Sequence, residues 1–461
     1  MSTNRQPLRS SMTKGEINMK SLIQRNSART WLFILLCALI GSPIPAALAD
    51  WTTPVTLGAQ KASWVAAAGA DQNGNATAAW LQTDTIPYKV YASVRKAGTV
   101  NFGAASGISG ASTWNPYPLL ARVDRLHNFF VVWEDQGAVY GAIRSAGTNR
   151  WSPPEFIATG SLAGFEVDKA GNATILVGTF NMVQVVDRPT GGSWGTPQTI
   201  FSHTYSGASG LAMADDGGAV AIWETYDKTT EFYTNFVLHA SRRAAWGQPW
   251  GTVADLSMPL TTHQITPSGH AAVIAMDPKG NAVAVGRQLD NDSNLTLGAV
   301  TSAVHSDTWS ALQLVSAAGT QAGYPSVAVD GAGFATLVWA DVSSGSALVT
   351  TASLPANSWT TPLMISQAGV TTGYPVVGTN RAGMAAVTWP AINGDGSVSL
   401  QVTLRPTRTA AWTTPVTLST SSAGLSNGQP WVDKAGRVLL VWNETPPGFV
   451  GQTTKTSTYL P

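Results

Sequence analysis

The sequence predicts an all-β fold, a β-propeller of eight four-stranded antiparallel blades, and three observations lead there. A tight turn opened by Asp, with Gly inside it and an aromatic strand after it, recurs eight times, aligned on Asp71, Asp124, Asp168, Asp215, Asp277, Asp330, Asn380 and Asp433. A Trp-x-x-Pro-like piece also recurs eight times, from Trp51, Phe102, Trp151, Trp194, Trp246, Trp309, Trp359 and Trp412. The two series are out of step at the ends of the chain. The last turn unit has no Trp-x-x-Pro piece after it, while the first such piece, at 51–57, precedes every turn. That orphan fits as the outer strand of the last blade and would close the ring non-covalently, which favours eight blades over the alternative of seven.

In the clearest unit, strands are expected over 326–329, 334–339 and 347–353, with a fourth beginning near Trp359. Each is β-branched or apolar and bounded by Gly, Asp, Ser or Pro, as strand limits should be. The turn between the first two has its own chemistry: the Asp side chain caps backbone N–H groups and the Gly supplies positive φ, so these recurrent residues read as structural. Units spaced by 44 to 62 residues have the length of a propeller blade with loops. One four-stranded sheet cannot bury both faces. A ring of them packs each face on a neighbour and leaves short edges. Composition agrees, since 11% charged residues with 45 Gly and 18 Trp is unlike a helical protein, whose exposed faces are filled with Glu, Lys and Arg.

Residues 1–49 read as a secretory signal. Arg25 and Arg29 precede an apolar run over 31–41, followed by the small-residue site Ala47, Leu48, Ala49. The run is too short to span a bilayer comfortably. Cleavage after Ala49 leaves one propeller domain over 50–461 with no membrane span, secreted or periplasmic; Met19 is an alternative start. The single cysteine, Cys37, leaves with the leader, and Leu36 before it argues against lipidation. No disulfide, thiol nucleophile or Cys-ligated metal is then expected. Beyond the leader, 21 basic residues face 25 acidic ones, which leaves no basic footprint for nucleic acid.

In a meandering blade, alternate connections emerge on opposite faces. The loops that enter the first strand therefore share a face with those joining the second and third. On this face the entering loops carry Tyr117, Tyr324 and Tyr374, each followed by Pro, and the others carry Asp84, Glu134, Asp135, Glu224, Asp341 and Glu444. Aromatic rings beside carboxylates at a channel mouth suit a sugar, through apolar stacking and hydrogen-bond acceptors. They equally suit stiffened strand entrances and soluble loops. Along the innermost strands, Arg122 and Glu166 break a series of mostly small residues in adjacent units, which predicts an ion pair at the channel. Arg95, Arg144, Arg188, Arg242 and Arg405 recur at the opposite face and read as turn decoration.

Metal and cofactor chemistry has no support in the sequence. The histidines, His127, His203, His239, His263, His270 and His305, lack metal-ligand spacing, and Asp290, Asp292 and Asn294 lack the Gly and bidentate Glu of a calcium loop. No GxSxG, Walker or dinucleotide motif is present.

The stretch from Arg188 to Trp194 distantly resembles the Asp-box turn of sialidase-type propellers, Ser-x-Asp-x-Gly-x-Thr-Trp, keeping the Gly and Trp but not the Ser and Asp. The D-x-x-G-N-A units also resemble secreted bacterial propeller repeats over almost the whole mature chain. Such a resemblance implies fold, because propellers host hydrolases, lyases, lectins and protein-binding platforms alike. The expected function is a secreted, non-catalytic propeller that engages a glycan or a protein through the Tyr- and acid-bearing face. Two alternatives remain open: a glycoside hydrolase or lyase using paired carboxylates such as Glu134 and Glu224, and a structural module of a surface assembly.

Overall fold

A computed structural model describes residues 50–57, 63–84, 86–110, 117–204, 206–228, 233–260, 272–289, 294–317, 319–367, 370–446 and 451–461. The leader with Cys37, His263, His270 and residues 290–293 lie outside them. Asp50–Pro461 form one compact unit, and its described strands make eight antiparallel sheets, each a blade. The innermost strands are Ser63–Ala70, Leu119–Val123, Ser161–Val167, Ser206–Met213, Ala272–Met276, Ser326–Val329, Val376–Thr379 and Gln429–Val432. Each contacts the next, and the last contacts the first, so together they ring a central channel. The fold is an eight-bladed β-propeller.

Closure is made by the amino-terminal strands. Asp50–Trp51 and Val55–Leu57 both pair with Thr453–Leu460, in the register Trp51 to Tyr459 and Val55 to Thr456. The Trp51 ring packs on Tyr459 with centroids 5.5 Å apart, and Ser457 Oγ donates to the Thr52 carbonyl at 2.6 Å. The expected completion of the last blade by residues 51–57 is therefore what the chain does.

Eight buried apolar clusters hold the described ring together, one at each interface between consecutive blades. The strand-ending tryptophans Trp80, Trp133, Trp223, Trp339, Trp389 and Trp442 sit in them and are at most 2% exposed. Each such ring removes about 150–250 Å² from water, so these positions dominate the packing energy.

The recurrent turns have the predicted chemistry. Asp277 Oδ1 accepts from the backbone N–H groups of Lys279, Gly280 and Asn281 at 2.7–2.9 Å, and its Oδ2 accepts from Asn281 Nδ2 at 2.7 Å. The Asn Oδ1 then accepts from Val304 N at 3.1 Å, which ties this turn to the next turn on the same face. Gly333 takes φ +82°, and His127 takes the equivalent place in the second blade at φ +63°.

Two alignments shift in the fourth blade. The turn there is closed by Ala214 N to the Gly218 carbonyl, at 2.8 Å, so Ala214 and not Asp215 holds the capping position. Trp223 then falls nine residues after it, as Trp80, Trp133, Trp339, Trp389 and Trp442 do after their own capping residues. The outer-strand bridge to Arg243 is likewise made by Trp250 and not Trp246.

The recurrent arginines are not surface decoration. Arg95, Arg242 and Arg405 are at most 6% exposed, and each reaches into a neighbouring blade. Arg95 Nη1 donates to Thr458 Oγ1 at 2.7 Å, Arg405 Nη2 to Thr336 Oγ1 at 3.0 Å and Arg242 Nη1 to the Gly280 carbonyl at 2.8 Å. Arg144 and Arg188 lie over Phe129 and Phe130. The guanidiniums act as stitches because a long apolar stem packs between blades while its head finds acceptors. Among the described residues no helix is long and apolar enough to cross a membrane.

Candidate functional site

The face that carries Tyr117, Tyr324 and Tyr374 differs from its sequence-level picture in how its charges are spent. Glu134 Oε2 accepts from Leu162 N at 3.1 Å, across to the third blade, and Ser161 Oγ lies 3.5 Å from Oε1. Burial raises this carboxyl's pKa, and those two donors lower it in part. Asp341 folds onto its own turn, accepting from Ser343 N at 3.1 Å and Ser344 Oγ at 2.7 Å. Glu444 pairs with Lys455 Nζ at 2.6 Å and also accepts from Ser419 Oγ. Asp135 ends its strand ahead of a turn at Gln136 and Gly137. Glu134, Asp341 and Glu444 are thus held by donors of the scaffold.

Glu224 differs from them. Ser209 Oγ donates to its Oε1 at 3.4 Å, from a bulge in the innermost strand of the same blade. Burial pushes its pKa from 4.5 to about 7, which that one long hydrogen bond cannot offset. Glu134 and Glu224 lie in the second and fourth blades, each with its own hydrogen-bond donors.

The structure brings two of the three tyrosines together. Tyr324 and Tyr374 meet edge to face, centroids 4.8 Å apart at 81°, while Tyr117 stands 62% exposed at the entrance of the second blade. Beneath Tyr324 lies a residue the sequence reading missed. Arg287 Cζ sits 4.4 Å from the Tyr324 ring centroid, at the end of Ala282–Leu289 in the fifth blade. Arg287 is 9% exposed and its Nε is buried with no acceptor. A signal existed, because Arg287 follows Gly286, the weak copy of the strand-ending Trp, where Trp133 and Trp223 are followed by acids. The aromatic pair and the guanidinium come from three consecutive blades, so blade packing sets their spacing.

The channel holds a second charged group. Arg122 Nη2 lies 2.6 Å from Glu166 Oε1 and its Nε lies 3.1 Å from Oε2, a bidentate pair between the second and third blades. Arg122 Cζ is also 5.5 Å from the Trp431 ring, which belongs to the eighth blade. Gly69 lies between at the same level, and a Cβ there would stand 2.5 Å from the Ala121 carbonyl oxygen. Burial alone would disfavour the Arg122 charge, but the field and hydrogen bonds of Glu166 outweigh it and raise the pKa. On the opposite face Asp215, one residue past the capping position of its turn, pairs with Arg381 of the seventh blade, and Lys169 Nζ stands 3.7 Å away. This pair joins blades that are not neighbours in the ring.

Cavities of about 360 Å³, beside the closing strands, and about 550 Å³, between the outer strands of the sixth and seventh blades, lie away from the tyrosines. Among the described residues no group of three His, Cys, Asp or Glu is placed to hold a metal ion.

No protein-family model matches the sequence, and a comparison with curated proteins finds no match. Solved structures share the fold at low similarity. A protein of unknown function from Dyadobacter fermentans has 13% identity and a TM-score of 0.43, over 90% of this chain and 99% of that one. The Hadza microbial sialidase Hz136 has 11% identity and a TM-score of 0.39, over 90% and 96%. The β-propeller domain of the Trilobed protease from Pyrococcus furiosus, which has an open velcro topology, has 6% identity and a TM-score of 0.44, over 78% and 98%. A sialidase, prolyl endopeptidases and a virginiamycin B lyase are among such neighbours.

Proposed function

We propose that the protein is an exported, non-catalytic propeller that binds a glycan through the face bearing Tyr324 and Tyr374. The observation that carries this reading is the edge-to-face tyrosine pair itself. Tyr374 remains 46% exposed although its ring is held by Tyr324, and its loop is anchored by Asn427 Nδ2 donating to the Tyr374 carbonyl at 2.6 Å. A pre-set aromatic surface with a polar edge binds sugar rings at small entropic cost. Glu134, Asp341 and Glu444 are spent on internal donors, which disfavours a paired-carboxylate hydrolase. A glycan array probed with the purified protein tests this reading. Binding to a saccharide class, weakened at least tenfold by Tyr374→Ala, is expected, and binding that ignores the substitution sinks the assigned face. Capture of proteins with no saccharide binding would favour a protein ligand instead.

One observation favours a second reading. A carboxyl with a pKa of about 7, as at Glu224, suits a general acid in a glycoside hydrolase or lyase. Turnover of any glycoside abolished by Glu224→Gln would establish it. The leader at 1–49 supports a secreted or periplasmic location, and amino-terminal sequencing of exported protein, with Asp50 expected first, tests it.

A further inference from the structure

Five described arginines are at least nine-tenths buried: Arg95, Arg242, Arg243, Arg287 and Arg405. Four of them donate hydrogen bonds into the protein. Arg95 reaches Thr458, Arg242 reaches Gly280 and Ser302, Arg243 reaches Gly217, Asp187 and Thr174, and Arg405 reaches Thr336. The Arg287 side chain has no hydrogen bond and no ion pair among the described residues, and it lies over the Tyr324 ring. A guanidinium offers five donors in a fixed planar fork and stays charged at any ordinary pH. Leaving such a group both buried and unpaired is costly. The Nε atoms of Arg95, Arg242 and Arg405 also lack an acceptor, but each of those guanidiniums is held through an Nη atom, and Arg287 is not. Tyr324 covers one face of the fork, and Tyr374, 46% exposed, packs edge to face with Tyr324.

We infer that Arg287 is the acid-recognising group of the glycan face, and that the ligand is an acidic saccharide bearing a carboxylate or sulfate oxyanion. The inference rests on the glycan reading above and narrows it to a charge class. The oxyanion accepts from the guanidinium fork while the adjoining sugar ring lies against Tyr374. A neutral sugar offers hydroxyls, which form weaker, unassisted bonds to the same donors. Burial strengthens the ionic contact relative to an exposed Lys or Arg, so this one position can set the preference for charge.

The test is titration calorimetry of the full chain with oligogalacturonate, with dextran sulfate, and with unmodified dextran and cello-oligosaccharides as neutral probes. Arg287→Gln, Arg287→Lys and Tyr374→Ala are compared with the parent, each first checked to unfold cooperatively with a midpoint no lower than the parent's. The expected result is binding of one or both acidic probes, at least tenfold tighter than any neutral one, and reduced about tenfold or more by Arg287→Gln. Arg287→Lys should recover part of that loss, because it restores charge without the fork. A carboxylate ligand and a sulfate ligand are told apart by which acidic probe shows the Arg287 dependence. Neutral probes binding as tightly as acidic ones, lost in Tyr374→Ala but unmoved in folded Arg287→Gln or Arg287→Lys, would overturn the inference and leave the glycan reading standing. Failure of every probe to bind would overturn both.

Discussion

Removing Glu166 should destabilise the propeller by about 2 kcal/mol. The pair it forms with Arg122 is neither a surface bridge, worth about 0–1 kcal/mol, nor a dry one, whose breakage costs about 3–5 kcal/mol. The side chains retain 19% and 27% exposure, so channel water screens part of the field. In Glu166→Ala, Arg122 loses both bonds of the fork but keeps the Ala121 carbonyl at 2.9 Å and the Trp431 ring, which sets the estimate between those limits. A double-mutant cycle with Arg122→Met isolates the pairwise part, expected at about 1–2 kcal/mol. Urea unfolding followed by tryptophan fluorescence reads both quantities if m is unchanged. A coupling below about 0.5 kcal/mol would show that the fork holds nothing together, and the pair would then have to be kept for another reason.

Three further outcomes follow from the same structure. Glu224 has a folded pKa above its unfolded one, so its ionisation destabilises the fold: no penalty below about pH 4.5, a growing one as pH rises, and all of it above about 7. Glu224→Gln should match the parent in urea at pH 4.5 and exceed it by up to about 3 kcal/mol at pH 8, and the reverse ranking would contradict the burial of this carboxyl. Gly378→Ala should cost about 2–3 kcal/mol by urea unfolding, because its Cβ would lie 2.1 Å from the Pro430 carbonyl oxygen, where backbone of two blades must separate. Ala214→Asp should raise the unfolding midpoint, gaining about 0.5–1 kcal/mol by restoring the cap that the other Asp-bearing turns possess. No gain there would mean that Asp216, which accepts from Gly218 N at 2.9 Å, already fills the role.

Much of the fold was legible because its signals are local. A turn needs Asp at one place and positive φ three residues later, and such demands print themselves on every copy, as at Asp277 and Gly280 or Asp330 and Gly333. Closure was legible from the mismatch between two repeat series. The fourth blade misled because Ala214 lacks the side chain while Asp215 offers one a residue late, so alignment on Asp followed chemistry away from geometry. The arginines misled for a different reason: a charge at a strand end reads as exposed, and burial such as that of Arg405 depends on the neighbouring blade supplying Thr336. Tyr324 and Tyr374 were visible as residues, but their meeting was not, since the loops are one whole unit apart in sequence. Arg287 was hidden because one atypical residue in one weak copy leaves no periodic trace.

The bond between Thr52 and Ser457 joins positions 405 residues apart in the chain. At roughly 5–20 residues per second, the first-made strands would wait about 20–80 s for their partner to leave the ribosome. The eighth blade is also the one that cannot form early, so its neighbours meet an unfinished edge until residues 453–460 have been made. A ring that locks only when Thr453–Leu460 meets Asp50–Trp51 and Val55–Leu57 stays open until then, so the last seam is timed by the order in which the chain is delivered and not by the packing of the other blades.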